Sequence, residues 1–184
     1  MIIGIAGTIG AGKGTVVEYL KKRGFGHYSS SAVLRGLLRE QGDPETREYM
    51  SPLADELMEK YPGGVLHFSH QQAESAGIKD YILEAMHRES EAEYVRSIGG
   101  VIIGVDADLK RRYERTRNRG EGEKDNVTFE EFLEHAKRED EGATGSGPNI
   151  RAVLQDADAV LMNDGTIEEL HAQIDAVLEK LRID

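Results

Sequence analysis

The stretch GTIGAGKGT, residues 7–15, carries four glycines and one lysine within nine residues. Glycine loses more conformational freedom on folding than any other residue, so such a cluster indicates a turn whose backbone must approach something closely. The spacing of Gly7, Gly12 and Lys13 matches the phosphate-binding loop, in which backbone N–H groups surround a polyphosphate and the lysine reaches its β- and γ-phosphates. The dipole of the following helix favours the same negative charge. The sequence therefore predicts a nucleoside triphosphate site.

The segments on either side of this loop indicate a strand before it and a helix after it. Residues 1–6 are largely apolar and β-branched, as in parallel strands buried on both faces. From Thr15 onward, apolar residues recur at helical spacing as far as Gly24. Strands alternating with helices favour a parallel sheet covered by helices on both faces. Further strands are predicted at 26–29, 81–83, 101–105 and 159–162, with helices at 32–40, 65–75, 89–97, 109–117, 128–141 and from 166 onward.

Local capping signals set several helix boundaries. Asp43 and Ser51 each precede a proline, a residue that suits the first helical position. Two successive short helices are therefore expected, at 44–49 and 52–60. In a capping box, a threonine and a glutamate three residues apart each bond the other's backbone N–H group. Two later helices begin with such boxes: Thr128 with Glu131, and Thr166 with Glu169.

Composition limits the classes of function. The 184 residues suggest one domain, and 23 basic against 34 acidic residues give a net charge of −11. Such an acidic chain is a poor general binder of nucleic acid, because phosphate repulsion must be overcome locally. The chain has no cysteine, which excludes disulfides and thiolate metal sites. No apolar run approaches the ~20 residues of a membrane span, and the N-terminus does not look like a signal peptide. We expect a cytoplasmic protein without nucleic-acid or membrane partners.

The end of the loop, GKGT at residues 12–15, resembles the adenylate kinase and wider nucleoside monophosphate kinase family. Most phosphate loops place Ser or Thr directly after the lysine to ligate magnesium, whereas here Gly14 intervenes before Thr15. The resemblance implies ATP and Mg²⁺ as cofactors, with the metal held through water and phosphates and no protein ligand, while Thr15 and Glu84 lie nearby. The loop residues implied to bind the nucleotide are Gly7, Gly10, Ala11, Gly12, Lys13, Gly14 and Thr15.

Residues 29–42, SSSAVLRGLLREQG, resemble the family segment STGDxLR and the helix after it. Ser30 takes the place of the threonine and Arg35 that of the arginine, whereas Ala32 replaces the aspartate. The resemblance implies that Arg35 clamps the acceptor's phosphate, a task for which the guanidinium fork is suited. The loss of the aspartate implies weaker polar support near the phosphates.

Residues 84–88, EAMHR, stand where the family has DGFPR, directly after the third strand. Glu84 takes the acid position and Arg88 the arginine. The resemblance implies that Arg88 contacts the acceptor phosphate and that Glu84 accepts a hydrogen bond from metal-bound water. Asp106 ends a neighbouring strand, and we expect it to cap the next helix.

Residues 110–119, KRRYERTRNR, concentrate positive charge in an acidic protein. They resemble the family segment that enters the lid, where arginines four residues apart stack on adenine and contact phosphates. Arg115 and Arg119 have that spacing, which brings both to one face of a helix. Arg111 and Arg112 are expected to form a solvated basic face.

The remaining donor-side residues are implied by the same resemblance. A short lid is expected at about 118–128, ending in the basic-acidic pair 124–125, and its closure would exclude water from the transferred group. Arg138 lies on the helix that leaves the lid and would supply a further contact in the transition state. Asn163 and Gly165 lie in the loop that passes beside adenine in these kinases.

The resemblance extends over nearly the whole chain. Residues 128–140 and 161–174 are similar to small adenylate-kinase-related proteins. The expected architecture is a single P-loop kinase domain over residues 1–184 with a three-layer α/β P-loop NTPase fold. Its five-stranded parallel sheet has the order 2-3-1-4-5, with an acceptor-binding helical region at about 30–76.

The expected function is ATP-dependent phosphoryl transfer to a small phosphorylated acceptor, with a nucleoside monophosphate favoured. A phosphate acceptor is already ionised and needs no general base. Dephospho-CoA kinase is an alternative, but its hydroxyl acceptor would want a carboxylate near the second strand, where residues 29–32 read SSSA. A nucleotide-binding regulator and a slow ATPase also remain open. The implied catalytic cations are Lys13, Arg88, Arg115, Arg119 and Arg138.

Overall fold

A computed structural model describes residues 1–119, 127–141 and 149–183 of the chain. The strands are β1 (Ile2–Gly7), β2 (Gly26–Ser29), β3 (Tyr81–Met86), β4 (Val101–Asp106) and β5 (Ala159–Met162). They form one five-stranded sheet in the order β2-β3-β1-β4-β5, and every pairing is parallel. The predicted α/β fold and its strand order are confirmed.

Helices cover both faces of the sheet in the described part of the chain. One face packs against the helices Lys13–Lys22 and Ile167–Ile183, through residues such as Val16 and Ile174. The other face packs against Leu66 and Val153, among others. The helices are α1 (Lys13–Lys22), α2 (Ser30–Gln41), α3 (Arg47–Lys60), α4 (Val65–Ser75), α5 (Glu89–Ser97), α6 (Leu109–Arg119), α7 (Phe129–Glu141), α8 (Ile150–Gln155) and α9 (Ile167–Ile183).

The central strand β1 carries the glycine-rich loop. Ile3 and Ile5 are 0% exposed because helices lie on both sides of the strand. β1 pairs with β3 on one side and with β4 on the other. The loop therefore leaves the sheet between two strand ends, at the edge where ligands of open parallel sheets bind.

Strand β3 is longer than the sequence predicts. Its register with β1 shifts so that Ile5 pairs with Glu84 while Ala6 pairs with Met86. One extra residue in β3 is thus accommodated as a bulge, a feature that is common beside functional sites. The prediction that the strand ends near Glu84 is wrong, because backbone pairing with β1 continues it to Met86.

The two short helices expected around Pro52 form one helix, α3, so that prediction is wrong. Thr46 precedes it, and its carbonyl accepts from the N–H groups of the next turn. Pro52 lies inside the helix and removes one N–H donor. Leu53 and Leu57 pack into a cluster with α2 and α4, and this burial offsets the missing bond.

Several predicted segments keep their boundaries, and others lie outside the described residues. The capping boxes at Thr128 and Thr166 form as expected, with backbone-to-carboxylate distances of 2.7 and 2.8 Å. The short helix α8 was not predicted. The expected lid at 118–128, including its pair 124–125, falls mostly outside the described ranges. Among the residues that are described, no helix is long and apolar enough to cross a bilayer.

Candidate functional site

The backbone of the glycine-rich loop needs glycine at three positions for direct physical reasons. Gly10 and Gly12 have φ values of 76° and 100°, a region that side chains with a Cβ rarely adopt. A Cβ on Gly12 would also overlap the Asn163 amide, and one on Gly7 would overlap the Val105 carbonyl. The loop is therefore a backbone cradle that any larger residue would fill.

Lys13 lies at the first turn of α1, where the loop ends. Its ammonium donates to the carbonyl oxygens of Gly7 at 2.6 Å and of Thr8 at 3.1 Å. Burial lowers the pKa of Lys13, and the neighbouring Glu139 and Glu84 oppose that shift. A partly dehydrated ammonium that two carbonyl groups hold beside the glycine-rich loop is a strong binding point for a phosphate.

The loop after β5 is attached directly to the glycine-rich loop. The buried Asn163 amide donates to the Ala11 carbonyl at 2.8 Å. Arg115 of α6 donates to the Asn163 carbonyl at 2.7 Å and to Ala11 at 3.4 Å. These contacts bring three distant segments of the chain to one place.

A cavity of about 480 Å³ and another of about 610 Å³ meet at this edge of the sheet. We call the larger one the donor cavity. It contains five of the seven predicted nucleotide residues of the loop, without Gly7 and Ala11, and the predicted arginines of α6, together with an apolar wall from α9. Its lining residues are Gly10, Gly12, Lys13, Gly14, Thr15, Glu84, Arg115, Thr116, Arg119, Asn163, Gly165, Ile167 and Leu170.

The smaller cavity, which we call the acceptor cavity, lies between the ends of β2 and β3 and the helices α2 to α5. It combines a polar floor with an apolar wall. The Ser30 hydroxyl in it donates to the Glu84 carbonyl at 3.0 Å. The lining is His27, Ser29, Ser30, Ser31, Leu34, Ala54, Met58, Val65, Glu84, His87, Arg88 and Glu91. Glu84 lines both cavities and therefore stands where they meet.

The predicted arginines are placed differently from one another. Arg88 lines the acceptor cavity and pairs with Asp55 of α3 at 3.1 Å. Arg35 is exposed on α2, and the acceptor cavity is lined by its neighbour Leu34 instead. Arg138 is exposed on α7, 3.7 Å from Glu134. The structure thus brings Lys13, Glu84, Arg88, Arg115 and Arg119 to the two cavities, while Arg35 and Arg138 lie outside both.

Sequence reasoning missed His27 as a site residue. Its Nε2 lies 2.7 Å from a carboxylate oxygen of Glu84, and both side chains are largely buried, at 23% and 21% exposed. Ser29 and Glu84 are register partners on β2 and β3, which places His27 two residues away on the same strand. A lone histidine on a weak strand carries no local signal, because its partner is 57 residues distant.

His87 and Glu91 were also missed. The Glu91 carboxylate accepts from the backbone N–H groups of His87 and Arg88 at 2.7 and 3.0 Å. This carboxylate fixes the turn after β3 in place of the glycine and proline of the family motif. Burial, with the positive charge of Lys13 and Arg88, lowers the pKa of His87 to about 4. His87 is therefore neutral at neutral pH.

The low pKa of His87 predicts a specific loss of stability in acid. The ordinary value is 6.5 and the folded value is about 4, so the unfolded chain binds the proton more tightly. Stability is then lost as the pH falls through that window, by roughly 2 kcal/mol at about pH 5. Urea unfolding of the wild type and His87→Gln at about pH 7.5 and about pH 5 checks this. Between these two pH values His87→Gln should lose less unfolding free energy than the wild type, whereas His135→Gln, at an exposed position, should lose as much. Equal losses in all three proteins would contradict the assignment of the acid sensitivity to His87.

Arg112 does not belong to a solvated face, so that prediction is wrong. It is 3% exposed, and its Nε donates to the Ile9 carbonyl at 2.9 Å. Asp106 was expected to cap α6, but Asp108 does so, since its carboxylate accepts from the N–H groups of Lys110 and Arg111 at 3.0 and 3.2 Å. The Asp106 carboxylate instead accepts from the Ala107 N–H, before the helix, at 2.9 Å. The same oxygen accepts from the Thr8 hydroxyl at 2.7 Å. Helical periodicity did not reveal this burial because the partners come from the loop.

The residues present fit a nucleotide polyphosphate better than a metal held by protein alone. The cradle of backbone groups, Lys13 and the cations of α6 all face one cavity. Within the ranges that the structure describes, no group of three or more acidic or imidazole side chains is placed to hold a metal ion. Thr15 and Glu84, which line the donor cavity, are the oxygen-bearing side chains that would lie beside a magnesium ion bound to the nucleotide.

Relatives by sequence extend along nearly the full chain. The UPF0200 protein of Pyrococcus horikoshii is 28% identical, over 98% of this chain and 97% of that protein. The UPF0200 protein of Sulfurisphaera tokodaii is 29% identical, again over 98% of this chain and 97% of the other. The similarity is therefore not confined to the glycine-rich loop.

Solved structures share the fold at low sequence identity. TT1252 from Thermus thermophilus has a TM-score of 0.65 with 22% identity, covering 98% of this chain and 97% of that one. Shikimate kinase from Bacteroides thetaiotaomicron has a TM-score of 0.58 with 12% identity and coverage of 99% and 98%. Dephospho-CoA kinase from Campylobacter jejuni has a TM-score of 0.56 with 13% identity and coverage of 98% and 96%. This chain therefore has a P-loop kinase-like fold.

The family follows from the sequence match that begins in β1 and includes the glycine-rich loop. The AAA_18 profile, described as an AAA domain, matches residues 3–142. The match covers the loop and the helices α1 to α7. The chain belongs to the AAA_18 family of AAA domains.

Proposed function

We propose that this protein transfers the γ-phosphoryl group of ATP to a small phosphorylated acceptor, with a nucleoside monophosphate as the favoured class. The observation that carries the proposal is the pair of cavities that meet at Glu84. One is formed by the glycine-rich loop, and the other contains Arg88. Phosphoryl transfer requires attacking and leaving oxygens in line, and two adjoining cavities allow a donor and an acceptor to be placed that way.

The donor cavity supplies the positive charge that ATP needs. Lys13, Arg115 and Arg119 line it together, and cations positioned around the transferred group stabilise the charge that spreads over its oxygens. Bound Mg²⁺ would add Lewis-acid neutralisation of the phosphate oxygens. The Thr15 hydroxyl and the Glu84 carboxylate line the same cavity and would form hydrogen bonds with its water molecules.

The adenine end of the donor cavity has both apolar and polar groups. Ile167 and Leu170 form an apolar wall on α9, and Asn163 and Gly165 belong to the adjoining loop. An aromatic base needs such a wall on its face and backbone groups at its edge. These four residues support adenine binding beside the polyphosphate.

The acceptor cavity suits a molecule with one anionic end and one apolar end. Arg88 offers a guanidinium that binds a phosphate by two parallel hydrogen bonds. Its present partner, Asp55, is 66% exposed, and exposed ion pairs contribute at most about 1 kcal/mol. A phosphate can therefore displace Asp55. Leu34 and Met58 supply apolar surface for a nucleobase.

A hydroxyl acceptor, as in dephospho-CoA kinase, is a second candidate that one observation favours. Such a reaction wants a carboxylate base close to β2. Glu84 occupies that place as the register partner of Ser29, and His27 lies 2.7 Å from its carboxylate. A carboxylate oriented by an imidazole is placed to take a hydroxyl proton.

A panel of acceptors separates these candidates. Purified protein with Mg-ATP is incubated with each ribo- and deoxynucleoside monophosphate and with dephospho-CoA, and the products are identified by phosphorus NMR. The proposal expects a nucleoside diphosphate, formed faster than free phosphate. A product phosphorylated on a hydroxyl would replace the first candidate with the second. Phosphate release alone would indicate an ATPase, and ATP binding without turnover would indicate a nucleotide-binding regulator; both outcomes contradict the kinase proposal.

A further inference from the structure

Arg112 is a buried cation that the proposed reaction does not use. It is 3% exposed on α6, and the donor cavity takes Arg115, Thr116 and Arg119 from this helix but not Arg112. A charge is costly to bury unless polar groups replace the water that it loses. The contacts of Arg112 therefore indicate a task beside the donor cavity rather than in it.

The guanidinium group of Arg112 holds the back of the glycine-rich loop. Its Nε donates to the Ile9 carbonyl at 2.9 Å, and its Nη1 lies 3.8 Å from Oδ1 of Asp106. The same carboxylate oxygen accepts from the Thr8 hydroxyl at 2.7 Å. Two consecutive loop residues are thus attached to one arginine–carboxylate pair at the end of β4.

Backbone packing at Gly10 adds to this attachment. A Cβ on Gly10 would overlap the Arg112 carbonyl, so the loop backbone lies directly against α6. The Thr116 hydroxyl donates to that carbonyl at 2.9 Å. Residues 8–10 therefore take their shape from contacts with α6 and with Asp106.

The guanidinium group of Arg112 also contacts α7. Its carbon lies 5.9 Å from the centre of the Phe132 ring, which is 1% exposed. A buried guanidinium is attracted to an aromatic face. The Phe132 ring is also 5.5 Å from that of Tyr113, whose hydroxyl donates to the Val127 carbonyl at 3.3 Å. One side chain thus touches both the loop and the helix α7.

We propose that Arg112 is a positioning residue that holds residues 8–10 in the shape that receives a polyphosphate, and that it joins this loop to α7 through Phe132. It acts on the ligand through the loop backbone. Its loss therefore weakens the binding of phosphates and leaves nucleoside contacts unchanged. The inference concerns donor binding alone and does not depend on which acceptor the protein uses.

The test is binding by the full chain of three probes: Mg-ATP, inorganic tripolyphosphate and adenosine. Arg112→Met keeps an unbranched, flexible apolar stem and removes the guanidinium group with its charge and donors. We expect it to weaken ATP and tripolyphosphate about tenfold or more, as for loss of a charged hydrogen bond, with adenosine unchanged. Arg112→Lys should recover part of the affinity. Arg111→Met, at an exposed neighbouring position, should bind all three as wild type does.

Two results would overturn the proposal. ATP affinity within about twofold of wild type in a folded Arg112→Met protein would remove the role. Equal weakening of adenosine and tripolyphosphate would indicate general damage instead of loop positioning. If Arg112→Met does not fold, Thr8→Val is tested instead, because it keeps the side-chain shape and removes the hydrogen bond to Asp106. Unchanged tripolyphosphate binding by Thr8→Val then overturns the proposal.

The link to α7 is tested by a double-mutant cycle. Phe132→Leu should weaken ATP binding by about threefold, which is less than the full strength of a desolvated cation–π contact because the effect reaches ATP only through Arg112 and the loop. In the Arg112→Met background the same change should have little further effect, because the contact is already lost. Fully additive effects on ATP affinity would overturn the connection through Phe132.

Discussion

Replacing Lys13 with alanine is expected to lower kcat for phosphoryl transfer by about 10²–10³-fold, or roughly 3–4 kcal/mol of transition-state stabilisation. The ammonium lies within the glycine-rich loop, 2.6 Å from the Gly7 carbonyl, and lines the donor cavity. Burial removes water from the ammonium and thereby lowers the pKa of Lys13, so a phosphate that binds it has little water to displace. Steady-state kinetics with saturating Mg-ATP and the acceptor identified by the panel measure the loss.

The matched control for this prediction is Lys22→Ala, at the exposed last residue of the same helix. It removes an equal charge from α1 without touching the donor cavity, so we expect kcat and the KM for ATP to stay within about twofold of wild type. If Lys13→Ala and Lys22→Ala had similar kcat values, the assignment of Lys13 to phosphoryl transfer would be contradicted. Melting temperatures of both variants establish that the comparison is between folded proteins.

Arg88→Ala is expected to lower kcat/KM for a phosphorylated acceptor by about 100-fold while leaving ATP affinity unchanged. Arg88 lines the acceptor cavity and not the donor cavity, so the two ligands should respond separately. The magnitude is that of one lost charge-assisted hydrogen-bond pair, ~3 kcal/mol. The measurement is the dependence of initial rate on acceptor concentration at saturating ATP, with the ATP dissociation constant determined independently.

Arg35→Ala is the informative comparison, because sequence resemblance assigns the same phosphate to both arginines. Arg35 is exposed on α2 and lies outside the acceptor cavity. In this arrangement it should change kcat/KM by less than about threefold, as for an exposed charge. A loss as large as that of Arg88→Ala would mean that α2 moves to bring Arg35 into the site during turnover. No loss in Arg88→Ala would contradict its assignment to the acceptor.

Much of the fold follows from short-range patterns. The boundaries of β2, β5, α4 and α5 match their predictions because they depend on local apolar runs and breakers. The expected strand order 2-3-1-4-5 was also correct, and it followed from the resemblance carried by the glycine-rich loop. The prediction of two helices around Pro52 was wrong because burial of Leu53 and Leu57 by neighbouring helices stabilises one continuous helix despite the proline.

Some residues of the candidate site can also be predicted from local sequence patterns, and others cannot. Gly12 and Lys13 are recognisable because their spacing alone defines the loop, whereas no local pattern marks His27, His87 or Arg112 as site residues. His27 meets Glu84 across 57 positions and Arg112 meets Ile9 across 103. Such contacts arise only when parallel strands bring distant segments to one edge of the sheet.

By itself, the sequence determined that a strand, a glycine-rich loop with Lys13 and a helix follow one another, and that strands alternate with helices. These features depend on neighbours a few residues apart, within reach of local sterics and hydrophobic periodicity. The tertiary structure alone decided that Arg112 is buried, that Arg35 lies outside the acceptor cavity, and that Glu84 stands between two cavities. Burial and pairing depend on which elements pack together, and that is a property of the folded chain as a whole.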